Sequence, residues 1–117
     1  MPLPSFDDGL TEAEVDRMID NARKATDFLK ALAHEGRLLI LCHLASGERS
    51  VTELEQLLSQ RQAAVSQQLA RLRLEGLVEN RREGKTIYYR LVDGRARQMI
   101  EVVYELFCHD ESEAPRN

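Results

Sequence analysis

The sequence predicts a mainly α-helical domain with one β-hairpin, in the order α-α-α-α-β-β-α. Apolar residues recur every three or four positions through most of the chain, which is the period of a helix. After Gly76 the period falls to two over two short runs that are rich in β-branched and aromatic residues, and a last helical stretch follows. The 117 residues suffice for one such domain and are too few for two.

The first predicted helix starts at a capping box formed by Thr11 and Glu14, in which each side chain binds the other residue's backbone N–H. Its apolar residues form one long seam: Val15, Met18, Ala22, Ala25, Leu29 and Leu32. A seam of this length on an N-terminal helix favours packing against a helix of a second subunit.

Three shorter helices are predicted next. The second runs from about His34 to Ala45, and its apolar residues wrap most of the way round, so we expect it at the centre of the core. The third begins at a capping box of Ser50 and Glu53, and a tight turn separates it from the fourth, which ends at Gly76. Three residues of the fourth helix are predicted to face the core: Val65, Leu69 and Leu72.

A hairpin and a closing helix complete the predicted domain. The runs "LVENRR" and "KTIYYRL" are joined by "EG", and the closing helix "GRARQMIEVVYELFCHD" carries an apolar stripe. We expect a folded domain over residues 11–109 with dimerisation helices at both ends. The polar, proline-containing segments 1–10 and 110–117 are predicted to be disordered tails.

Charge is strongly segregated along the chain, although the net charge is only -4. Residues 60–97 carry nine basic and four acidic side chains, whereas residues 1–59 and 98–117 are both acidic. A basic middle between acidic ends is typical of a DNA-facing module. Charge alone leaves open the simpler interpretation of a charged face without a ligand.

Two short helices joined by a tight turn, the second with a polar outer face, are the elements of a helix-turn-helix. Glutamine amides can pair with adenine, a small alanine allows close approach to the groove, and cations on the hairpin, here called the wing, can bind phosphates. The residues predicted to contact double-stranded DNA are Gln62, Ala63, Ser66, Gln67, Arg71, Arg81, Arg82 and Lys85. A protein-interaction module that does not bind DNA is the alternative.

Several classes of protein are disfavoured. There is no run of eighteen apolar residues, and "MPLPSFDDGL" lacks the basic and apolar regions of a signal peptide, so we expect a cytoplasmic protein with no membrane partner. No catalytic constellation is visible. Cys-x-x-Cys is absent and neither cysteine opens a helix, so we expect a non-enzyme.

The segments "LKALAHEGRLLIL" and "AAVSQQLARLRLEGLVENRREGKTIYYRL" resemble the ArsR/SmtB family of dimeric winged-helix repressors. The resemblance covers roughly residues 15–107, and the second segment is specific because it joins the recognition helix and the wing in one pattern. It implies a homodimer packed through the first and last helices, bound to a near-palindromic operator. An inducer would release the DNA by changing the geometry of the dimer.

The metal sites of this family are incomplete in the sequence. Ser50 and Thr52 stand where many relatives carry a Cys-x-Cys pair on the third helix, and hydroxyls do not replace thiolates as soft-metal ligands. The zinc pattern between the last helices retains only its first and last positions: Asp93 and His109 are present, but Arg95 and Leu106 occupy the two histidine positions. A Cys2His2 set from Cys42-His43 and Cys108-His109 is disfavoured because neighbouring helical residues point about 100° apart. We expect no metal site.

Cys42 and Cys108 are the two cysteines of the chain. They could be buried core residues, since free cysteine often serves as a small hydrophobe. One cysteine on the second helix and one near the end of the last also resembles the BigR/SqrR-type branch of the family, whose repressors respond to persulfides and polysulfides and typically control sulfide-response genes. The resemblance implies that Cys42 and Cys108 are redox-sensing thiols, with reactive sulfur as the inducer and no cofactor. The alternative is a metal- or general oxidant-responsive repressor with structural cysteines, and haem stays open as a further ligand.

Overall fold

The computed structural model describes residues 9–59 and 61–108 and divides after Lys30 into two compact units. Within these ranges the chain forms five helices, α1 Glu12–Leu32, α2 Glu35–Ala45, α3 Val51–Leu58, α4 Gln62–Leu74 and α5 Gly94–Phe107. It also forms three strands, β1 Arg49–Ser50, β2 Val78–Glu83 and β3 Thr86–Leu91. The predicted fold is confirmed, with β1 as an additional element. Residues 1–8 and 110–117 of the predicted tails, and His109, lie outside the described residues.

The capping box that opens α1 is present. The Thr11 backbone N–H donates to Glu14 Oε1 at 2.8 Å, and the Glu14 backbone N–H donates to Thr11 Oγ1 at 3.1 Å. The bond from the Thr11 backbone N–H favours the ionised carboxylate and, with a smaller contribution from the Thr11 side chain, lowers the pKa of Glu14. Much of the apolar seam, including Val15, Met18 and Leu29, is exposed in the single chain.

Helix α2 supplies the centre of the core, where Ile40, Leu41 and Leu44 are buried. His34 is its N-cap, as expected for a histidine at a helix end: Nδ1 accepts hydrogen bonds from the backbone N–H of Gly36 and of Arg37. Two of the apolar residues of α2, Leu39 and Cys42, are exposed and do not belong to the core. Cys42 is therefore not a buried filler of the core.

Helices α3 and α4 begin and end where the sequence indicates. Ser50 and Glu53 form the capping box of α3. Beyond α4, Gly76 adopts φ +78° and donates its N–H to the carbonyl of Arg73, while Leu77 donates to that of Leu72. This is a Schellman ending, which requires a left-handed residue that glycine adopts without strain. The three residues predicted to point inward, Val65, Leu69 and Leu72, are fully buried.

The three strands form one antiparallel sheet in the order β1-β3-β2. The pairing of Glu83 with Thr86 leaves Gly84 and Lys85 as the two-residue loop, so the tip of the wing lies one residue later than the predicted "EG". Gly84 takes φ +64°, as the first position of such a tight loop often requires. Strand β1 adds Ser50 opposite Tyr88, which connects the start of α3 to the wing.

Helix α5 packs against α2. Asp93 caps its N-terminus by accepting from the backbone N–H of Ala96 at 2.9 Å, and Ala96 and Ile100 are buried. The end of its apolar stripe is open, with Leu106 70% and Phe107 74% exposed. None of the described helices is both long and apolar enough to cross a membrane.

Candidate DNA-binding surface and dithiol cleft

The outer face of α4 carries the predicted base-reading residues. Helices α3 and α4 pack against each other as a helix-turn-helix requires. At 100° per residue, Ala63 and Gln67 lie opposite the buried face, and Ala70 and Leu74 continue the same line. Every predicted DNA-contacting residue on this helix is exposed: Gln62, Ala63, Ser66, Gln67 and Arg71. Their roles on DNA stay predictions.

A polar network behind this face was not foreseen from the sequence. Arg37, near the start of α2, donates from Nη1 to Gln68 Oε1 at 3.0 Å and from Nε to the Ala31 carbonyl at 2.6 Å. Partial burial, and next the positive charge of Arg71, lower the pKa of Arg37. Arg71 itself pairs with Glu75 at 3.1 Å. The network holds α2 against α4, the predicted recognition helix.

The three basic residues predicted on the wing have different surroundings. Arg81 forms two bonds with the carboxylate of Glu48, of 2.8 and 3.0 Å, and its guanidinium carbon lies 4.5 Å from the centre of the Tyr88 ring. The Arg81 hydrogen bond lowers the pKa of Glu48, and the same bond raises the pKa of Arg81. Arg82 and Lys85 are exposed, and no described residue forms an ion pair with either. The charge of Arg81 is therefore shared with the protein, whereas those of Arg82 and Lys85 face solvent.

Cys42 and Cys108 line one cleft between α2 and α5. Both thiols are free and exposed. The cleft has a volume of ≈ 450 Å³, and its other lining residues are Ala45, Ser46, Ile100, Glu101, Val103, Tyr104 and Glu105. The two thiols were predicted from the sequence, whereas the two glutamates were not, although Glu101 and Glu105 precede Cys108 at helical spacing.

The thiol on α2 is perturbed. Although the residue as a whole is exposed, partial burial of its thiol raises the pKa of Cys42, and the nearby charge of Cys108 raises it further. A raised thiol pKa leaves Cys42 mostly protonated at neutral pH. Beyond the thiols, Arg97 on α5 donates from Nη1 to the Ala45 carbonyl at 2.8 Å and so joins the C-terminal end of α2 to α5.

Two positions at which the resemblance places metal ligands in other proteins have structural roles in this chain. Ser50 Oγ accepts from the Glu53 backbone as a helix cap, and Asp93 caps α5 while pairing with Arg95 at 3.0 Å. The Arg95 hydrogen bond lowers the pKa of Asp93. Among residues 9–59 and 61–108, no three His, Cys, Asp or Glu side chains come together in a way that could hold a metal ion. The absence of a cofactor stays a prediction.

Comparison with known proteins identifies the family of the chain. Residues 34–80 match the family described as "Bacterial regulatory protein, arsR family". The biofilm growth-associated repressor of Agrobacterium fabrum is 43% identical over 111 residues, which cover 95% of this chain and 85% of the relative.

Two solved structures extend the likeness to the fold. Reduced HlyU from Vibrio cholerae, a protein named as a transcriptional activator, is 46% identical with a TM-score of 0.76, over 79% of this chain and 97% of that one. The transcriptional repressor BigR from Xylella fastidiosa is 42% identical with a TM-score of 0.73, over 85% of this chain and 98% of that one. The chain thus belongs to the arsR family of bacterial regulatory proteins and is a winged-helix, DNA-binding transcriptional regulator rather than an enzyme.

Proposed function

We propose that this protein is a dimeric transcriptional repressor that releases its operator when reactive sulfur links Cys42 to Cys108, and that it controls sulfide-response genes. The observation that carries the proposal is the shared cleft: both thiols line it, both are exposed, and the charge of one acts on the other. Two structural cysteines of a core would instead be buried and apart. The relatives named as repressors support the direction of control.

The covalent step requires no reductant or oxidant beyond the inducer. With trisulfane, two protein thiols and one H–S–S–S–H give a Cys–S–S–S–Cys bridge and two molecules of hydrogen sulfide. The cysteine sulfurs are oxidised, the outer sulfurs of the inducer are reduced, and each thiol proton leaves on one hydrogen sulfide. A direct disulfide needs Cα atoms within about 7 Å, whereas packed helix axes are about 8–10 Å apart. Extra sulfur relaxes that requirement and favours sulfane sulfur over peroxide.

The bridge would act on the recognition helix through α2. Cys42 lies between the two arginine links of this helix, with Arg97 binding its C-terminal end to α5 and Arg37 connecting its start to Gln68 on α4. A change of the α2–α5 spacing at the cleft therefore reaches α4 through one short helix. Release needs only a few kcal/mol of difference between the two forms, roughly 10²-fold in operator affinity.

The decisive experiment measures operator binding before and after polysulfide treatment. We expect the wild type to gain a Cys42–Cys108 link with additional sulfur, seen by intact mass, and to lose affinity for its own promoter. Cys42→Ser and Cys108→Ser should each bind the promoter when untreated and keep it after treatment. Release of DNA from either serine variant on treatment would refute the two-thiol switch.

Zinc and peroxide arms separate the alternatives. Release by zinc in the double serine variant would favour a metal-responsive repressor with structural cysteines. Release by peroxide at rates equal to those with polysulfide would favour a general oxidant sensor. Binding of haem is checked in the same preparations by its absorption spectrum.

A further inference from the structure

Positive charges near the DNA-binding surface differ in whether the protein already uses them. Several arginines pair with carboxylates of the chain: Arg71 with Glu75, Arg81 with Glu48, Arg90 with Glu79 and Arg95 with Asp93. Arg73 near the end of α4 and Arg82 on β2 are exposed, and no described carboxylate pairs with either. The charges of Arg73 and Arg82 are therefore available to an anionic ligand.

The register of the hairpin assigns these charges to one face of the wing. Residues directly opposite each other in an antiparallel pair share a face, so one face carries Val78 with Leu91, Asn80 with Tyr89, and Arg82 with Ile87. Because Val78 and Leu91 are buried, this is the face that packs on the domain. The opposite face carries the engaged residues Arg81, Tyr88 and Arg90. Arg49 on β1 lies opposite Tyr89 and adds a further cation to the first face.

A notch lies between this face and α4, and its lining residues are Ala70, Arg73, Leu74 and Tyr89. At 100° per residue, Ala70 and Leu74 lie within about 20° of Ala63 around the helix, and Arg73 lies about 80° to one side. The notch is thus continuous with the outer face of α4 that is predicted to read bases. Leu74 is apolar and yet 82% exposed, so this end of α4 has no cover in the single chain.

The notch presents two hydrogen-bond donors. One is the exposed guanidinium of Arg73. The other is the Tyr89 hydroxyl: Asn80 Nδ2 donates to Tyr89 Oη at 3.5 Å, so the oxygen accepts from Asn80 and its own O–H is left to donate elsewhere. Glu79, which lines the adjoining groove with Arg73 and Asn80, is paired with Arg90 at 2.8 Å. The donors and the charges therefore suit an anion.

We propose that this notch binds a phosphodiester group of one DNA strand, held by the Arg73 guanidinium and the Tyr89 hydroxyl. Asn80 orients the hydroxyl, and Ala70 and Leu74 pack against the adjoining sugar. Hydrogen bonds from a cation to phosphate are among the strong ones in proteins, and backbone contacts of this kind fix the register of a protein on the duplex. The inference goes beyond the thiol switch and requires only that the protein binds DNA.

The first test measures binding of the reduced, untreated full-length protein to its own promoter and to random duplex DNA over a salt series. Arg73→Gln should weaken both about tenfold and lower the salt slope by about one unit for each lost phosphate contact, whereas Arg73→Lys should keep the slope. Tyr89→Phe should weaken both about threefold to tenfold with the slope of the wild type, because no cation is lost. Tyr88→Phe, on the opposite face of the same strand, is the matched control and should bind as the wild type does.

The second test locates the phosphate, with promoter duplexes in which one phosphate at a time is replaced by an uncharged methylphosphonate. In each half-site we expect one position where the replacement weakens the wild type and Tyr88→Phe about threefold to tenfold. At that position Arg73→Gln and Tyr89→Phe should lose less than about twofold, because the contact is already missing.

Unchanged DNA binding in both Arg73→Gln and Tyr89→Phe would overturn the inference, and so would equal losses at every replaced phosphate in all the proteins. Weaker binding to the promoter alone, with random DNA bound as before, would assign the notch to base reading and overturn the phosphate contact. Tyr89→Phe keeps the aromatic ring and decides the matter if Arg73→Gln does not fold. No sulfur donor is present in either test, so failure here is distinct from failure of the two-thiol switch.

Discussion

At the residue scale, the surroundings of Cys42 raise the pKa of its thiol. Burial is the larger reason why the pKa of Cys42 is raised, and the charge of Cys108 is the smaller. The fraction of thiolate at Cys42 is therefore low at neutral pH and increases as the pH rises towards the raised pKa. Bridging that requires both thiolates in turn becomes faster over the same range.

The raised pKa of Cys42 gives a prediction about pH. Alkylation of Cys42 by iodoacetamide, followed residue by residue with mass spectrometry, should show a midpoint above that of an ordinary cysteine. Cys108→Ser should lower the midpoint without restoring the ordinary value, because the neighbouring charge is removed while burial stays. An unchanged midpoint in Cys108→Ser would mean that the thiols do not sense each other.

At the scale of elements, the wing carries two neighbouring arginines, one bound to the protein and one that faces solvent. Arg81 is held by Glu48 and Tyr88, whereas no described residue pairs with its neighbour Arg82. We predict that Arg82→Ala weakens binding to operator and to random DNA alike, and lowers the salt slope by about one unit for one lost phosphate contact.

Arg81→Ala is the matched comparison for the wing. This substitution should make the protein less stable to urea, because it removes the hydrogen bonds between Arg81 on β2 and Glu48 in the loop before β1. That stabilisation is complete above the ordinary glutamate pKa and disappears as the pH falls through the lowered pKa of Glu48. Salt slopes that change equally in both variants would show that Arg81 also binds phosphate.

The contact between α2 and α4 supports a second prediction at this scale. Gln68→Met keeps the size of the side chain and removes the acceptor of the Arg37 bond. The ratio of operator affinities between the reduced and bridged forms should fall about threefold to tenfold, as expected for a partly hydrated hydrogen bond to a charged group. Gln67→Met on the outer face should change operator discrimination and leave that ratio intact. Equal ratios in the wild type and Gln68→Met would exclude this route of coupling.

Local signals in the sequence predicted the elements well, and long-range contacts lay beyond them. The capping box of Ser50 and Glu53 and the ending at Gly76 depend on residues within a few positions, so they were readable in advance. Strand β1 has two residues, too few to show a period of two. The bonds of Arg37 to Gln68 and of Arg81 to Glu48 join residues 31 and 33 positions apart, and only the folded chain brings them together.

At the scale of the whole molecule, exposed apolar residues on α5 argue for a second subunit. Leu106 is 70% exposed on α5, and Leu74 is 82% exposed on the outer face of α4. We predict a homodimer with recognition helices about 34–36 Å apart, and Leu106→Glu should convert it to a monomer in sedimentation velocity at micromolar protein. Leu74→Glu should stay dimeric. A monomeric wild type would contradict the prediction.

Ser50 has two structural roles, as the residue of β1 that pairs with Tyr88 and as the N-cap of α3. The wing therefore cannot tilt against the helix-turn-helix without disturbing the first turn of α3. The distance between α4 and the wing is then fixed within each subunit. We expect a single base pair inserted inside a half-site, between the bases that α4 reads and the phosphates that the wing meets, to abolish specific binding in a gel shift. Natural operators should accordingly keep the length within each half-site as constant as the one-turn spacing between the half-sites.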